Sequence, residues 1–137
     1  MEREQLNFYL QHCQKNALEQ LCRRIESEAR VERSKQPTAQ TLLVPVTDPI
    51  NGGSFYSGEV LVTSAITRVN GVNGWSMVQD DQPELADAVA LLDAAFAAEV
   101  CTGAIIRLAR DGEDRWRKQV EHDSARAEAT RVQFDLL

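Results

Sequence analysis

The chain has 137 residues, enough to bury roughly two-thirds of its unfolded surface around one core without a disulfide or metal staple. Its 43% hydrophobic and 26% charged content is ordinary for a globular protein, and a net charge of −6 argues against nucleic acid or an anionic membrane as the main partner, since both reward a basic surface. No apolar run approaches a membrane span, and the opening MEREQLNFYL lacks the basic and apolar regions of a signal peptide, so a cytoplasmic location is expected.

Residues 1–35 read as a helical N-terminus. Leu6, Leu10 and Cys13 fall at helical spacing, and Leu18, Leu21, Cys22, Ile25 and Ala29 continue the stripe in a second segment. Asn16 followed by Glu19 resembles a capping arrangement, which would start the second helix there. The three cysteines, Cys13, Cys22 and Cys101, form an odd set without metal-type spacing. They are expected to be reduced thiols, with Cys13 and Cys22 acting as small hydrophobes. His12 has no second ligand at suitable spacing and is expected at or near the surface.

Ser27 to Gln40 is polar and charged, and Pro37 excludes a continuous helix there. Residues 41–79 carry the strands. Thr41–Val46 predicts a short strand that Pro45 either ends or confines to an edge, and Thr47–Ser54 is turn chemistry. Two further strands, from Phe55 to Gln79, fold back at Asn70-Gly71, where a type I′ turn needs positive φ at both positions. Val60, Val62 and Ile66 can share one face, and Leu61, Ala65 and Val69 the other. With both faces partly apolar, cover is expected on both sides, from helices at either end of the chain.

Residues 82–100 predict a core helix, with Asp81 as cap, Pro83 in the first turn and Leu85, Ala88, Val89, Leu92 and Phe96 as the buried stripe. Gly103 interrupts the pattern, and Ala104–Ala109 is a short apolar piece of undetermined type. Residues 111–132 predict a charged helix and a docking tail. Between Asp111 and Glu128 only Trp116 and Val120 are large and apolar, too little to bind the chain's own core strongly. Such a helix projects or lies against another subunit, and the apolar ending TRVQFDLL docks either there or on its own core. The fold class is α+β: a single domain with a small antiparallel sheet of three or more strands, packed with N-terminal, middle and C-terminal helices.

Catalytic signatures are sparse. Gly52, Gly53 and Gly58 precede neither a Gly-Lys-Ser/Thr nor a helix start, so they form no phosphate loop or dinucleotide fingerprint. There is no Gly-x-Ser-x-Gly elbow and no His-Glu-x-x-His. Gly58-Glu59 is the more informative pair. A carboxylate entering a strand from a glycine bend can meet a ribose hydroxyl, a base or a partner's arginine, or serve only as an edge charge.

The ordered set Phe55-Tyr56-Ser57-Gly58-Glu59-Val60-Leu61-Val62-Thr63, Gly74-Trp75-Ser76-Met77-Val78-Gln79, Ala90-Leu91-Leu92-Asp93-Ala94 and Ala129-Thr130-Arg131-Val132-Gln133-Phe134 resembles the G-subunit family of the carbon–phosphorus lyase machinery. It matches that family's Gly-Glu/Asp strand with a following threonine, Gly-aromatic return strand, helix block and closing Thr/Ser-Arg-Val-x-Phe signature. One stretch departs. Where the family usually carries Gly-Arg-Asp and then His-Ala-Glu, this chain has Asp80-Asp81-Gln82 and then Leu85-Ala86-Asp87, so an active-site histidine cannot be carried over.

The resemblance implies a cytoplasmic assembly with H, I and J subunits, chiefly the I subunit. In its first step, the nucleosidase-like I subunit, assisted by the L protein, replaces adenine of ATP with a phosphonate. The product is α-D-ribose 1-methylphosphonate 5-triphosphate, which the iron–sulfur J subunit later cleaves. This chain is then a small companion to I within a transferase complex, inactive when isolated and binding no cofactor alone, with ATP as the substrate of the complex. The substrate-binding or interface residues so implied are Gly58, Glu59, Thr63, Arg131 and Phe134, with Glu59 suited to a ribose hydroxyl and Arg131 to phosphonate oxygens or a partner carboxylate. The competing expectation is a stand-alone homo-oligomeric binding or scaffold domain, with the polar helix and apolar end as a self-interface.

Overall fold

A computed structural model describes residues 1–47 and 54–135, excepting the side chains of 44–47, 54–57 and 129–135. Helices α1 (Arg3–Leu10) and α2 (Lys15–Glu28) are followed by strands β1 (Val31–Thr47), β2 (Ser54–Val69) and β3 (Val72–Gln79), then by helices α3 (Pro83–Ala97) and α4 (Thr102–Asp135). The sheet is antiparallel with β2 in the centre. The expected α+β architecture is therefore present. The turn chemistry read between Thr47 and Ser54 lies largely outside the described residues.

The hairpin forms as the turn residues dictate. Asn70 and Gly71 have φ of 50° and 82°, the left-handed pair a type I′ turn requires. That two-residue turn fixes the β2–β3 register, with Val69 opposite Val72 and Ile66 opposite Trp75. Directly opposed residues share a face, so Thr63, Ala65, Thr67 and Val69 lie on one side with Gly74, Ser76 and Val78, all buried. Helix α3 packs on this side through Ala86, Val89, Ala90 and Ala94. Its approach is close: a Cβ on Gly74 would overlap the backbone of Ala90 and Ala94, and the Ser76 hydroxyl donates to the Ala86 carbonyl at 2.6 Å.

Among the described residues no helix packs on the opposite face, which corrects the expectation of helical cover on both sides, although Val62 and Ser64 there are only 6% and 3% exposed. Helices α1, α2 and α4 complete the core around α3 with Leu6, Leu10, Leu21, Ile25, Ile105 and Leu108 and do not cross that face. Trp75 there is 51% exposed.

Other boundaries differ from expectation for identifiable reasons. Strand β1 starts at Val31, ten positions before the predicted Thr41, because an edge strand tolerates a polar sequence. Its register shifts between Lys35 and Thr38 and again between Val44 and Pro45, so both prolines fall where the ladder is already broken. Helix α2 begins at Lys15 with Gln14, not Asn16, as its cap residue. No side chain of its own caps it; instead the Asp111 carboxylate of α4 accepts from the Gln14 N–H at 3.2 Å. Helix α3 is preceded by Gln82, not Asp81, with Pro83 at its first position, and it ends at Ala97.

Gly103 does not interrupt a helix. The chain turns instead at Glu99 and Cys101, with φ of 60° and 53°. The apolar piece Ala104–Ala109 is the start of α4, which continues unbroken through the charged segment. Gly112 lies so close to α1 that a Cβ would overlap the Tyr9 carbonyl oxygen. Trp116 packs against Phe8 at 5.4 Å between ring centroids and against Tyr9 at 6.0 Å, so it docks on its own chain. From Arg117 to Glu128 every residue is exposed.

Candidate functional site

Three places on this framework carry unspent chemistry: the corner where β3 enters α3, the sheet face opposite α3, and the far half of α4.

Thr63 organises the corner. Its side chain is buried, and its hydroxyl donates to the Asp80 carbonyl at 2.7 Å and accepts from the Gln82 N–H at 3.0 Å. Asp80 sits at φ 69°, a conformation costly for a residue with a Cβ, and its N–H donates to the Leu61 carbonyl at 2.7 Å. Thr63 thus holds a strained turn that aims α3. Beside it, a cleft of about 480 Å³ runs between the start of α2 and the start of α3. Leu18, Pro83 and Leu85 contribute its apolar wall, and Lys15, Asp81 and Glu84 its charge. Leu85 is half-buried. The adjoining Ala86 is buried in the core, and Asp87 accepts from Arg33 Nε at 2.9 Å and Nη2 at 3.0 Å. Arg33 also donates to Glu26 at 2.7 Å, and these bonds, Asp87 foremost, raise its pKa.

Gly58 and Glu59 are exposed on β2, opposite Val44 and Leu43. Glu59 lies four residues from Thr63, about 13 Å along the strand, so the two do not share a pocket. Arg131 and Phe134 lie near the end of α4, about 28 Å or more along the helix axis from the Gly112 contact; the direction of their side chains lies outside the described residues.

The cysteines are not activated. Burial, and secondarily the Asp111 charge, pushes the Cys13 thiol up to about 11. Burial followed by Glu26 and Asp87 pushes Cys22 up to about 12. Thiols held so far above neutrality are poor nucleophiles at pH 7. Desolvation lowers His12, whose ring lies 5.1 Å from Phe8. Among the described residues no group of three His, Cys, Asp or Glu could hold a metal, and no helix is long and apolar enough to cross a membrane.

Sequence reasoning missed the bond that finishes the β3 edge. Asp93, 3% exposed, receives Arg3 Nε and Nη2 at 3.0 and 2.8 Å and the Trp75 N–H at 2.9 Å. Arg3 also reaches the Asn73 carbonyl at 3.3 Å, and Gln11 the Met77 carbonyl at 3.4 Å. Side chains thereby satisfy outward backbone groups that would otherwise invite another strand. An aspartate inside the apolar run Ala88–Ala95 was the available signal, since a buried carboxylate needs a partner.

A protein-family model described as phosphonate metabolism protein PhnG matches residues 1–137. A search of curated proteins finds no match to the chain. The full-length family match, on a chain with the Gly-Glu strand, the Gly-Trp return strand and the Arg-Val-x-Phe ending in order, settles the family: the chain belongs to the PhnG family of phosphonate metabolism proteins.

Proposed function

We propose that this chain is a subunit of the carbon–phosphorus lyase assembly, working with H, I and J subunits and chiefly with I. In this reading it supports transfer of a phosphonate onto the ribose of ATP, with release of adenine. It holds partners in place and contributes at most one edge of the nucleotide or phosphonate site, through Glu59 or Arg131. Family membership supports a role in phosphonate metabolism. The observation that carries the subunit reading is the far half of α4: Arg117 to Glu128 is exposed throughout, Val120 at 43%. A helix stabilised only by its own backbone and pairs such as Arg117–Glu113 is marginal in water, so a neighbouring chain is the natural support.

The test is reconstitution. The H, I and L partners are mixed with ATP and methylphosphonate, with and without this chain, and free adenine is measured. Adenine release that requires the chain is expected, as is failure of cells lacking it to grow on methylphosphonate as sole phosphorus source. Release at the same rate without the chain overturns the reading. A monodisperse homo-oligomer that ignores the I subunit would favour the scaffold alternative.

A further inference from the structure

The sheet face opposite α3 is ordered in rows by the register. Glu32, Arg68 and Asn73 lie across one row, and Lys35, Ile66 and Trp75 across the next. Trp75 at 51% exposed, with the half-buried Ile66 and Met77 beside it, forms the apolar part of this end of the face; further along, Ser64 and Val62 are buried at 3% and 6%. At about 4.8 Å per strand and 3.3 Å per residue, the cluster of Ile66, Trp75 and Met77 spans about 5 Å by 7 Å between backbone positions, with Arg68 and Lys35 at its rim. An exposed tryptophan in an apolar cluster rimmed by charged side chains has the composition of an interaction surface. Trp, Met and Arg are also the residue types enriched at interface centres.

We propose that this face docks a different polypeptide, one presenting an apolar surface with carboxylates opposite Arg68 and Lys35. The proposal rests on the reading of the chain as a subunit and names the surface it uses. Charge selects the occupant. Arg68 donates to the amide oxygen of Asn73 at 3.1 Å, and Lys35 to the Ser64 hydroxyl at 3.1 Å. Among the described residues neither has a carboxylate within ion-pair distance, although the chain has a net charge of −6. A two-fold pairing of this face with itself would offer Arg68 and Lys35 a single carboxylate from these rows, Glu32, which Arg30 already contacts at 2.7 Å. The backbone geometry agrees, since the Trp75 N–H is tied to Asp93 while its indole faces outward. The anchor is therefore preorganised.

Full-length Trp75→Ala and Arg68→Glu chains, co-expressed with the H, I and J subunits, test the proposal. Both side chains are exposed, so circular dichroism is expected to match the unsubstituted chain. Recovery with the complex is expected to fall at least about tenfold for each, in line with loss of a hot-spot contact. If the unsubstituted chain binds none of the three subunits, the subunit reading itself falls. If it binds and both variants bind equally well, only the docking face falls. Hydroxyl-radical oxidation of Trp75 and Met77 gives a second measurement: several-fold protection in the complex is expected, and equal oxidation in both states overturns the proposal. A dimer of the isolated chain that Trp75→Ala dissociates also overturns it, as does an emission change when ATP alone is added to Trp116→Phe protein.

Discussion

Arg3 and Asp93, ninety positions apart, meet in a two-pronged ion pair that closes the outer edge of the sheet. Asp93 is nearly inaccessible, with 4% of its side chain exposed, whereas Arg3 keeps 48%. The carboxylate also takes the Trp75 N–H, so one buried charge joins α1, α3 and β3.

Removing either partner should therefore be unequal. Asp93→Ala leaves an N–H and a guanidinium without an acceptor and is expected to cost about 2–3 kcal/mol. That is below the roughly 3–5 kcal/mol of a pair whose surviving charge stays buried, because 48% of the Arg3 side chain is exposed. Arg3→Ala should cost about 1–2 kcal/mol, because water reaches the vacated side and rehydrates the carboxylate. A double-mutant cycle read by urea unfolding should show coupling of about 1 kcal/mol or more. Additive losses would mean that the pair contributes nothing beyond its separate bonds.

The glycines divide into required and permissive. Gly112→Ala gains about 1 kcal/mol of helix propensity, but its Cβ would overlap the Tyr9 carbonyl oxygen, and backbone cannot step aside as a side chain can. The overlap is expected to win, with a net loss of about 2 kcal/mol and a weakened near-ultraviolet signal from Trp116 against Phe8 and Tyr9. Gly58→Ala meets nothing within 4 Å and should leave stability within about 0.5 kcal/mol. If Gly58→Ala nonetheless lowers adenine release by the complex, β2 at Gly58-Glu59 lies against substrate or partner.

The buried thiols predict a loss of stability on the alkaline side. Cys13 and Cys22, at about 11 and about 12, lie above the ordinary 9.0, so the folded state holds its protons longer than the unfolded one. Below pH 9 both states are protonated and the contribution is complete. Above pH 9 the unfolded state ionises first, and each thiol removes up to about 1.4 kcal/mol per pH unit until the folded thiol also titrates. Urea midpoints should fall between pH 8 and 10.5. The Cys13→Ala, Cys22→Ala double variant, though weaker at pH 8, should show a shallower slope; an unchanged slope would assign the loss to other groups.

How much of this could be read in advance depended on whether the signal was local. Asn70-Gly71 announces its own turn, and a two-residue turn dictates the register, so Ile66 opposite Trp75 was implicit in the letters. The stripe Leu85, Ala88, Val89, Leu92 and Phe96 similarly gave the existence of α3, although Gln82 replaced Asp81 at its start. The first half of β1 was hidden because an edge strand needs no apolar alternation and hosts Pro37 at a break in the ladder. The continuity of α4 was hidden because its real boundary lies at Glu99 and Cys101, ordinary residues with positive φ, while Gly103 meets only the Arg107 side chain. Of the candidate residues, Thr63 was named from the resemblance for binding or an interface, whereas in the fold its hydroxyl is occupied by Asp80 and Gln82, a tertiary bond that no local pattern announces. The Arg3–Asp93 link depends wholly on tertiary folding, and no local pattern encodes it.

Arg131 separates anchoring from chemistry at the end of α4. The helix carries it well beyond Trp116, where the chain's own described packing stops. A guanidinium there can bind either a carboxylate of a neighbouring subunit or the oxygens of a phosphonate or triphosphate, and both favour two-pronged contact. Arg131→Ala is expected to reduce co-purification with the I subunit about tenfold, with an unchanged unfolding midpoint because among the described residues the core ends before Arg117. Arg131→Lys keeps the charge but loses the fork, so it should recover less than half of the binding. If instead the alanine variant assembles normally and adenine release is lost, Arg131 touches the transferred group or the triphosphate, and the tail is part of the active site.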